Sequence, residues 1–236
     1  MTSTRSMKVA TAVFKEMIRW SLWFFSILLA IHLIRVFWLN GGPAPIEGFF
    51  TFSQYSTSIF TLVLGIMTAY TFMGRHIQQG VSRRDSFFGI SLAATGFALF
   101  LTVVPLAING LQHLLAKASI FPVALDTAVV FESTAGAAAA AIGLFLNVLT
   151  YFFAGWLISI GYYRFRWIAG FGFIALSFIV FGLNDYLWKP GNYTLDWLPY
   201  EPFEMDFWLI VLGSVAMLLV LFLAMRLLTK RVPIKM

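Results

Sequence analysis

Apolar residues fall into six blocks of about twenty, near 20–39, 53–73, 87–108, 135–161, 167–187 and 207–225, with turn-forming or charged residues gathered between them. A hydrocarbon core about 30 Å thick is crossed by roughly 20 helical residues, so each block predicts one membrane-spanning helix. The breaks are Asn40-Gly41-Gly42-Pro43, residues 74–86, residues 109–133, residues 162–166, and a stretch opening with Lys189-Pro190-Gly191-Asn192. An even number of crossings puts both termini on one side. The expected fold class is an all-α integral membrane protein in a single domain, 1–236. It divides into a polar, basic N-terminus (1–19), a six-helix bundle (20–225) and a basic tail (226–236).

Two breaks carry a finer pattern. Between Lys8 and Trp20 the apolar residues Val9, Val13, Met17 and Trp20 recur at helical spacing, while Lys8, Lys15, Glu16 and Arg19 take the other face. This predicts an amphipathic helix over residues 7–19. Two readings stand for it: an interfacial helix along the inner membrane surface, or a polar lead-in that anchors the first span through anionic lipid. No small-residue cleavage site follows the first apolar block, so it is read as a retained helix. In the second break, Ser82 and Asp85 stand three apart just before an apolar run, a capping-box-like start with Asp where Glu or Gln is usual. Gly80 suits the sharp turn before that cap, leaving residues 75–79 to form a short helix across the membrane face.

Charge gives the orientation. Only 11% of residues are charged against 60% apolar, a balance foreign to a soluble domain. With the N-terminus inside, the inner segments carry Arg5, Lys8, Lys15, Arg19, Arg75, Arg83, Arg84, Arg164, Arg166, Arg226, Lys230, Arg231 and Lys235, leaving only Arg35, Lys117 and Lys189 elsewhere. Of the acids, only Glu16 and Asp85 lie inside. Basic residues beside spans are retained in the cytoplasm, so both termini are expected there. The net charge of +6 is therefore topological, and no nucleic-acid surface is implied. Cysteine is absent, which excludes disulfides, thiolate metal sites and thiol nucleophiles.

The run Gly80-Val81-Ser82-Arg83-Arg84-Asp85-Ser86-Phe87, at the inner mouth between spans two and three, resembles the corresponding segment of ABC export permeases of the ABC-2 type. Members of that family have six spans, an amphipathic N-terminal helix on the inner surface, and a coupling helix between spans two and three that docks into a separate ATPase. The resemblance implies an ATPase-coupling element made of Arg75, His76, Gln79, Gly80, Ser82, Arg83, Arg84, Asp85 and Phe87. It further implies a second permease copy as homodimer or heterodimer partner, contact with membrane lipids, and a place in the bacterial cytoplasmic membrane. No cofactor is expected in this chain. No Gly-x-x-x-x-Gly-Lys-Ser/Thr loop occurs, so ATP and magnesium belong to the partner ATPase subunit and the chain is not itself an enzyme. One departure concerns residues 188–206. The family has two short re-entrant helices there, whereas Pro190, Pro199 and Pro202 predict an abbreviated outer gate.

Ionisable groups at membrane depth are costly, which singles out His32, Arg35 and Asp185 as a candidate substrate path. Each also has a structural explanation: Arg35 snorkels outward, Asp185 sits near a span end, and a neutral His32 hydrogen-bonds a carbonyl. His32 and Arg35 share a helix face and suit an anionic or amphipathic substrate; amphipathic peptides, lipids and drug-like molecules all fit. The small residues from Ala135 to Gly143 predict close helix packing at the start of span four. An intramembrane enzyme is disfavoured, since His32, His76 and His113 lie at separate levels and no H-E-x-x-H or G-x-S-x-G motif occurs. A stand-alone channel or secondary transporter, and a membrane anchor or immunity protein, remain as alternatives to the permease.

Overall fold

The computed structural model describes residues 4–38, 46–118, 125–126, 136–188 and 205–230. Apart from its ends, the expected gate over 188–206 lies outside the described residues, as do residues 231–236 of the basic tail. Among the described residues, six helices are long and apolar enough to cross a membrane, so the protein is a multi-pass membrane protein. In chain order the elements are α1 (Thr4–Trp38), β1 (Ile46–Glu47), α2 (Phe49–Thr68), a π-helical turn (Ala69–Met73), α3 (Gly74–Gln78), α4 (Arg83–Lys117), β2 (Leu125–Asp126), α5 (Gly136–Trp188) and α6 (Phe207–Thr229). The two-residue strands pair in parallel, Ile46 with Leu125 and Glu47 with Asp126.

Helix α5 supplies two spans. Its hydrogen bonding is helical over 53 residues, yet Asn184 Nδ2 donates to Asn147 Oδ1 at 2.8 Å and Ser177 Oγ to the Ala154 carbonyl at 3.2 Å. A straight helix would hold residues 147 and 184 about 55 Å apart, so the chain reverses, with the paired positions centred on residues 165–166. The two limbs are Gly136–Phe165 and Trp167–Trp188.

Successive spans alternate in direction. Ser6 meets Asp85, and Phe25 meets Phe100, so α1 and α4 run parallel. Helix α2 runs against α1, with His32 beside Phe49, Phe24 on Phe60 and Trp20 on Phe72. It runs with the first limb of α5, pairing Ser58 with Asn147 and Ala69 with Ser159. Helix α6 returns along the second limb from Ser214 beside Trp188, and its Leu228 carbonyl accepts from Arg164. Thr4 and Lys230 therefore lie at the same end of the bundle. That end carries Arg5, Lys8, Arg75, Arg83, Arg84, Arg164 and Arg226, and will be called the basic end.

Two expected pieces differ in form. Residues 7–19 are helical, but they are the first half of a single 35-residue α1 rather than a separate surface helix. Their apolar face is covered by protein: Val9, Ala10, Val13 and Met17 are buried, and the absence of a side chain on Gly89 lets Val9 sit against α4. Nothing interrupts the helical angles between residue 19 and residue 20, and burying that stripe on α4 holds the piece in line. Likewise α3 is helical but not free-standing. Thr68, Ala69, Met73 and Gly74 all keep right-handed helical angles, so α2, the π turn and α3 form one 30-residue helical run, Phe49–Gln78.

The tightest crossing joins α2 to α5. Gly65 and Gly155 face one another, and a Cβ on Gly65 would collide with the Phe152 carbonyl oxygen, while one on Gly155 would collide with that of Leu62. In lipid such small-residue contacts supply the van der Waals packing that holds helices together. Around this crossing sits the largest core, where Phe87, Phe152, Trp156, Leu157 and Ile160 are fully or almost fully buried. The Phe87 ring lies 5.4 Å from that of Trp156 and 5.0 Å from that of Phe222, tying α4, α5 and α6.

Candidate functional site

At the basic end the chain turns from α3 into α4 through four residues, each with a defined backbone role. Gly80 has φ +79°, and its N–H donates to the Ile77 carbonyl while the Val81 N–H donates to that of His76, both at 3.0 Å. This is a Schellman closure, which needs a left-handed residue and so favours glycine. Ser82 then caps α4. Its Oγ accepts from the Asp85 N–H at 3.0 Å and donates to Asp85 Oδ2 at 2.8 Å. The other carboxylate oxygen of Asp85 accepts from Ser6 Oγ at 2.9 Å. One carboxylate thus ties α1 to the cap of α4, close to the N-terminal dipole that stabilises its charge.

His76 lies just before the turn, its Nδ1–H donating to the Phe72 carbonyl at 2.7 Å. With Gln79, Gly80 and Val81 it faces Arg5, Lys8 and Ala12 across a groove of about 410 Å³. Arg75, Gln79, Gly80 and Arg84 are exposed, Arg83 is half-buried, and Phe87 is buried in the core. The residues of the expected coupling element thus divide. Arg75, Gln79 and Arg84 present charge and amide groups outward. Gly80, Ser82 and Asp85 fix the backbone, and Phe87 roots the segment between α5 and α6.

The π turn behind α3 has an identifiable cause. The Ala69 N–H donates to Ser159 Oγ of α5 at 3.2 Å, and the Gly74 N–H reaches back to the Ala69 carbonyl, five residues earlier. A side chain from another helix occupies one rung of the ladder, and the wider turn absorbs the extra residue.

His32, Arg35 and Asp185 do not converge. His32 is buried between the Phe49 and Phe52 rings, 5.5 and 5.0 Å away, and neither nitrogen has a hydrogen-bond partner among the described residues. The carbonyl contact expected for it is not made there. Arg35 reaches outward over Phe52, 5.6 Å from the ring centre, and pairs with Glu47 at 3.5 Å. Asp185 belongs to another group, enclosed by α2 and both limbs of α5. There Gln54, Tyr55, Ser58, Asn147, Tyr151, Asn184, Asp185 and Trp188 surround a cavity of about 20 Å³, the space of one water molecule. Asn184 donates to Asn147, and Asn147 Nδ2 donates to Ser58 Oγ at 3.0 Å. Gln54 Nε2 and Asn184 Oδ1 are buried with no partner among the described residues.

Sequence reasoning missed this amide cluster because it weighed only ionisable groups. The signal was present: Gln54, Asn147 and Asn184 are uncharged amides inside apolar blocks, where an unpaired amide is nearly as unwelcome. Among the described residues, no three His, Asp or Glu side chains are grouped to hold a metal ion.

No protein-family profile matches the chain, and neither does any curated protein or solved structure.

Proposed function

We propose that this chain is the membrane-spanning subunit of an ATP-driven exporter of ABC-2 type, with residues 75–87 as the element that docks a separate ATPase subunit. The observation that carries the reading is the mechanical construction of that segment. It is an exposed, basic turn held by a Schellman closure, a serine cap and the Asp85–Ser6 hydrogen bond. A push on it reaches three helices at once: α2 through α3, α4 through its capped first turn, and α1 through Ser6. Phe87 carries the same displacement into α5 and α6 through Trp156 and Phe222. Coupling a partner's closure to a rearrangement of spans requires a stiff lever of this kind, since packed helices shift as units.

The basic end faces the cytoplasm in this reading, by the bias of lysine and arginine. Two copies of the chain and two ATPase subunits, which supply ATP and magnesium, complete the transporter in a bacterial cytoplasmic membrane. The cargo is an amphipathic molecule such as a peptide. Replacing Arg75 and Arg83 by Ala should weaken ATPase docking about thirtyfold, the scale of about 2 kcal/mol typical of an interface arginine, with membrane insertion unchanged. ATP hydrolysis stimulated by the partner would fall accordingly. Full stimulation in that variant would remove the docking role.

One observation favours a second reading, a channel or secondary carrier working alone. The enclosed amides Gln54, Asn147 and Asn184 beside Asp185 resemble a polar waypoint for a solute more than they resemble packing. That reading requires transport by the purified chain without nucleotide, and Asn147→Leu would abolish it.

A further inference from the structure

Beside the docking turn, an apolar slot of about 400 Å³ opens between α4 and α6, with α5 as its back wall. Its volume falls within the range of about 300–1,000 Å³ usual for small-molecule clefts. Leu92, Leu149, Phe153, Val215, Leu218 and Leu219 make half of the lining, and Ser6 and Met7 of α1 join it. At the basic end it is closed by Phe88 of α4 and Phe222 of α6, whose rings lie 6.2 Å apart. On each helix an arginine stands one turn further out than the ring: Arg84 before Phe88, and Arg226 after Phe222. The Arg84 guanidinium lies 6.0 Å from the Phe88 centroid, and that of Arg226 lies 5.4 Å from it.

Two cations thus flank one ring at the mouth of an apolar slot. Among the described residues, no acidic side chain pairs with either, and Arg226 Nη1 is buried without an acceptor. Asp85, the nearest acid in sequence, accepts hydrogen bonds from Ser82 and Ser6. Aromatic faces offset part of the charge, but the buried Nη1 of Arg226 still lacks a hydrogen bond among the described residues. Deeper in, Ser91 Oγ on the wall is buried and also without a partner.

We propose that this slot binds one anionic phospholipid of the inner leaflet. Its phosphate sits over Arg84 and Arg226 at headgroup level, and an acyl chain passes Phe88 and Phe222 to lie between α4 and α6. Charge complementarity selects the ligand: an acyl chain alone satisfies the slot, and a headgroup of net negative charge matches the two guanidiniums better than a zwitterionic one, whose phosphate carries its own ammonium. The site shares Arg84 with the docking segment, whereas Arg226 and the apolar lining lie outside residues 75–87.

The test is native mass spectrometry of the intact chain, stripped of lipid in a nonionic detergent and then titrated with phosphatidylglycerol or with phosphatidylcholine of the same acyl chains. Each guanidinium near a membrane surface favours an anionic lipid about fivefold, so the pair predicts about a 25-fold preference for a single phosphatidylglycerol. Arg84→Gln with Arg226→Gln should bring retention of that lipid down to the phosphatidylcholine level. Thr95→Phe, which narrows the slot and leaves both arginines, should reduce retention of both lipids. Equal retention of the two lipids by the unaltered chain, or a preference that survives in the double glutamine variant, would overturn the proposal. So would efficient disulfide crosslinking of Leu219→Cys between two chains in membranes, since a second copy would then cover the slot; the chain has no cysteine of its own to confuse that reading.

Discussion

Asp85 has the most consequential bonds of any side chain at the basic end, because its carboxylate joins a helix cap to a helix 79 residues away in sequence. Hydrogen bonds to a charged acceptor are worth about 1.5–3 kcal/mol each, so Asp85→Ala should lower the unfolding free energy by about 2 kcal/mol or more. Ser6→Ala, which removes one hydroxyl donor to that carboxylate, should cost less than Asp85→Ala. Thermal unfolding in detergent orders the two variants, and a reversed order would contradict the arrangement. His32 predicts the opposite sign. Its two ring nitrogens are buried with no partner among the described residues, a penalty of about 1–3 kcal/mol, so His32→Leu should leave stability unchanged or raise it. A destabilised His32→Leu protein would mean that the histidine has a partner outside the described residues. The cap itself was legible from the spacing of Ser82 and Asp85 just ahead of an apolar block. Its partner Ser6 was not, since nothing local marks a serine that will be met by a helix far along the chain. Gly65 and Gly155 were hidden for a similar reason: a glycine inside an apolar block reads as mere tolerance until the facing backbone is known. The run from Ala135 to Gly143 drew attention instead by its density of small residues.

The six spans were readable because hydrocarbon thickness imposes a length that composition alone reveals, but helical structure runs past several expected limits: α1 starts at Thr4, α3 occupies part of the break expected at 74–86, and α4 continues to Lys117. Continuity was harder to read. Residues 7–19 look amphipathic in isolation, and an amphipathic stripe fits a membrane surface or a neighbouring helix equally well; here α4 covers it. The π turn depends on Ser159, ninety residues away, and has no signature of its own. Ser159→Ala removes that acceptor and leaves the Ala69 N–H buried without it, which should cost about 1–3 kcal/mol and speed amide exchange through the π turn and α3. Unchanged exchange there would show that the turn is held by other contacts. Gly80 supplies a cleaner case. A Cβ added there meets nothing within 4 Å, so only the left-handed backbone penalty of about 1–2 kcal/mol applies to Gly80→Ala. Asn, which tolerates that region, should restore much of the loss. If Asn and Ala behave alike, the Schellman closure is not what holds the turn.

Seen entire, the bundle gathers most of its basic side chains at one end, with Arg35 and Lys117 at the other, and both described termini and the reversals between spans two and three and between spans four and five also lie at the basic end. The charge bias in the sequence anticipated that segregation, because alternate breaks carry the arginines and lysines. Sequence did not reveal how the breaks are knitted together: Asp85 to Ser6, Arg164 to Leu228, and Arg226 against Phe87 and Phe88. These contacts link α1, α4, α5 and α6 at the basic end. Single-cysteine substitution in this cysteine-free chain can fix the orientation: Gln79→Cys should react with an impermeant thiol reagent only after the cytoplasmic side is opened, and Glu47→Cys from outside in intact cells. The reverse labelling would invert the whole arrangement. A membrane subunit that depends on a partner for its energy must keep that partner when gently extracted. The decisive measurement is therefore to solubilise the tagged chain from its native membrane, identify stoichiometric partners by mass spectrometry, and assay ATP hydrolysis with and without the Arg75→Ala and Arg83→Ala changes. An ATPase subunit recovered at about one per chain, with hydrolysis that those two substitutions uncouple, is the predicted result. Intact protein recovered repeatedly with no ATPase, and active in transport alone, would contradict it and leave the arginines of the turn with topology as their only role.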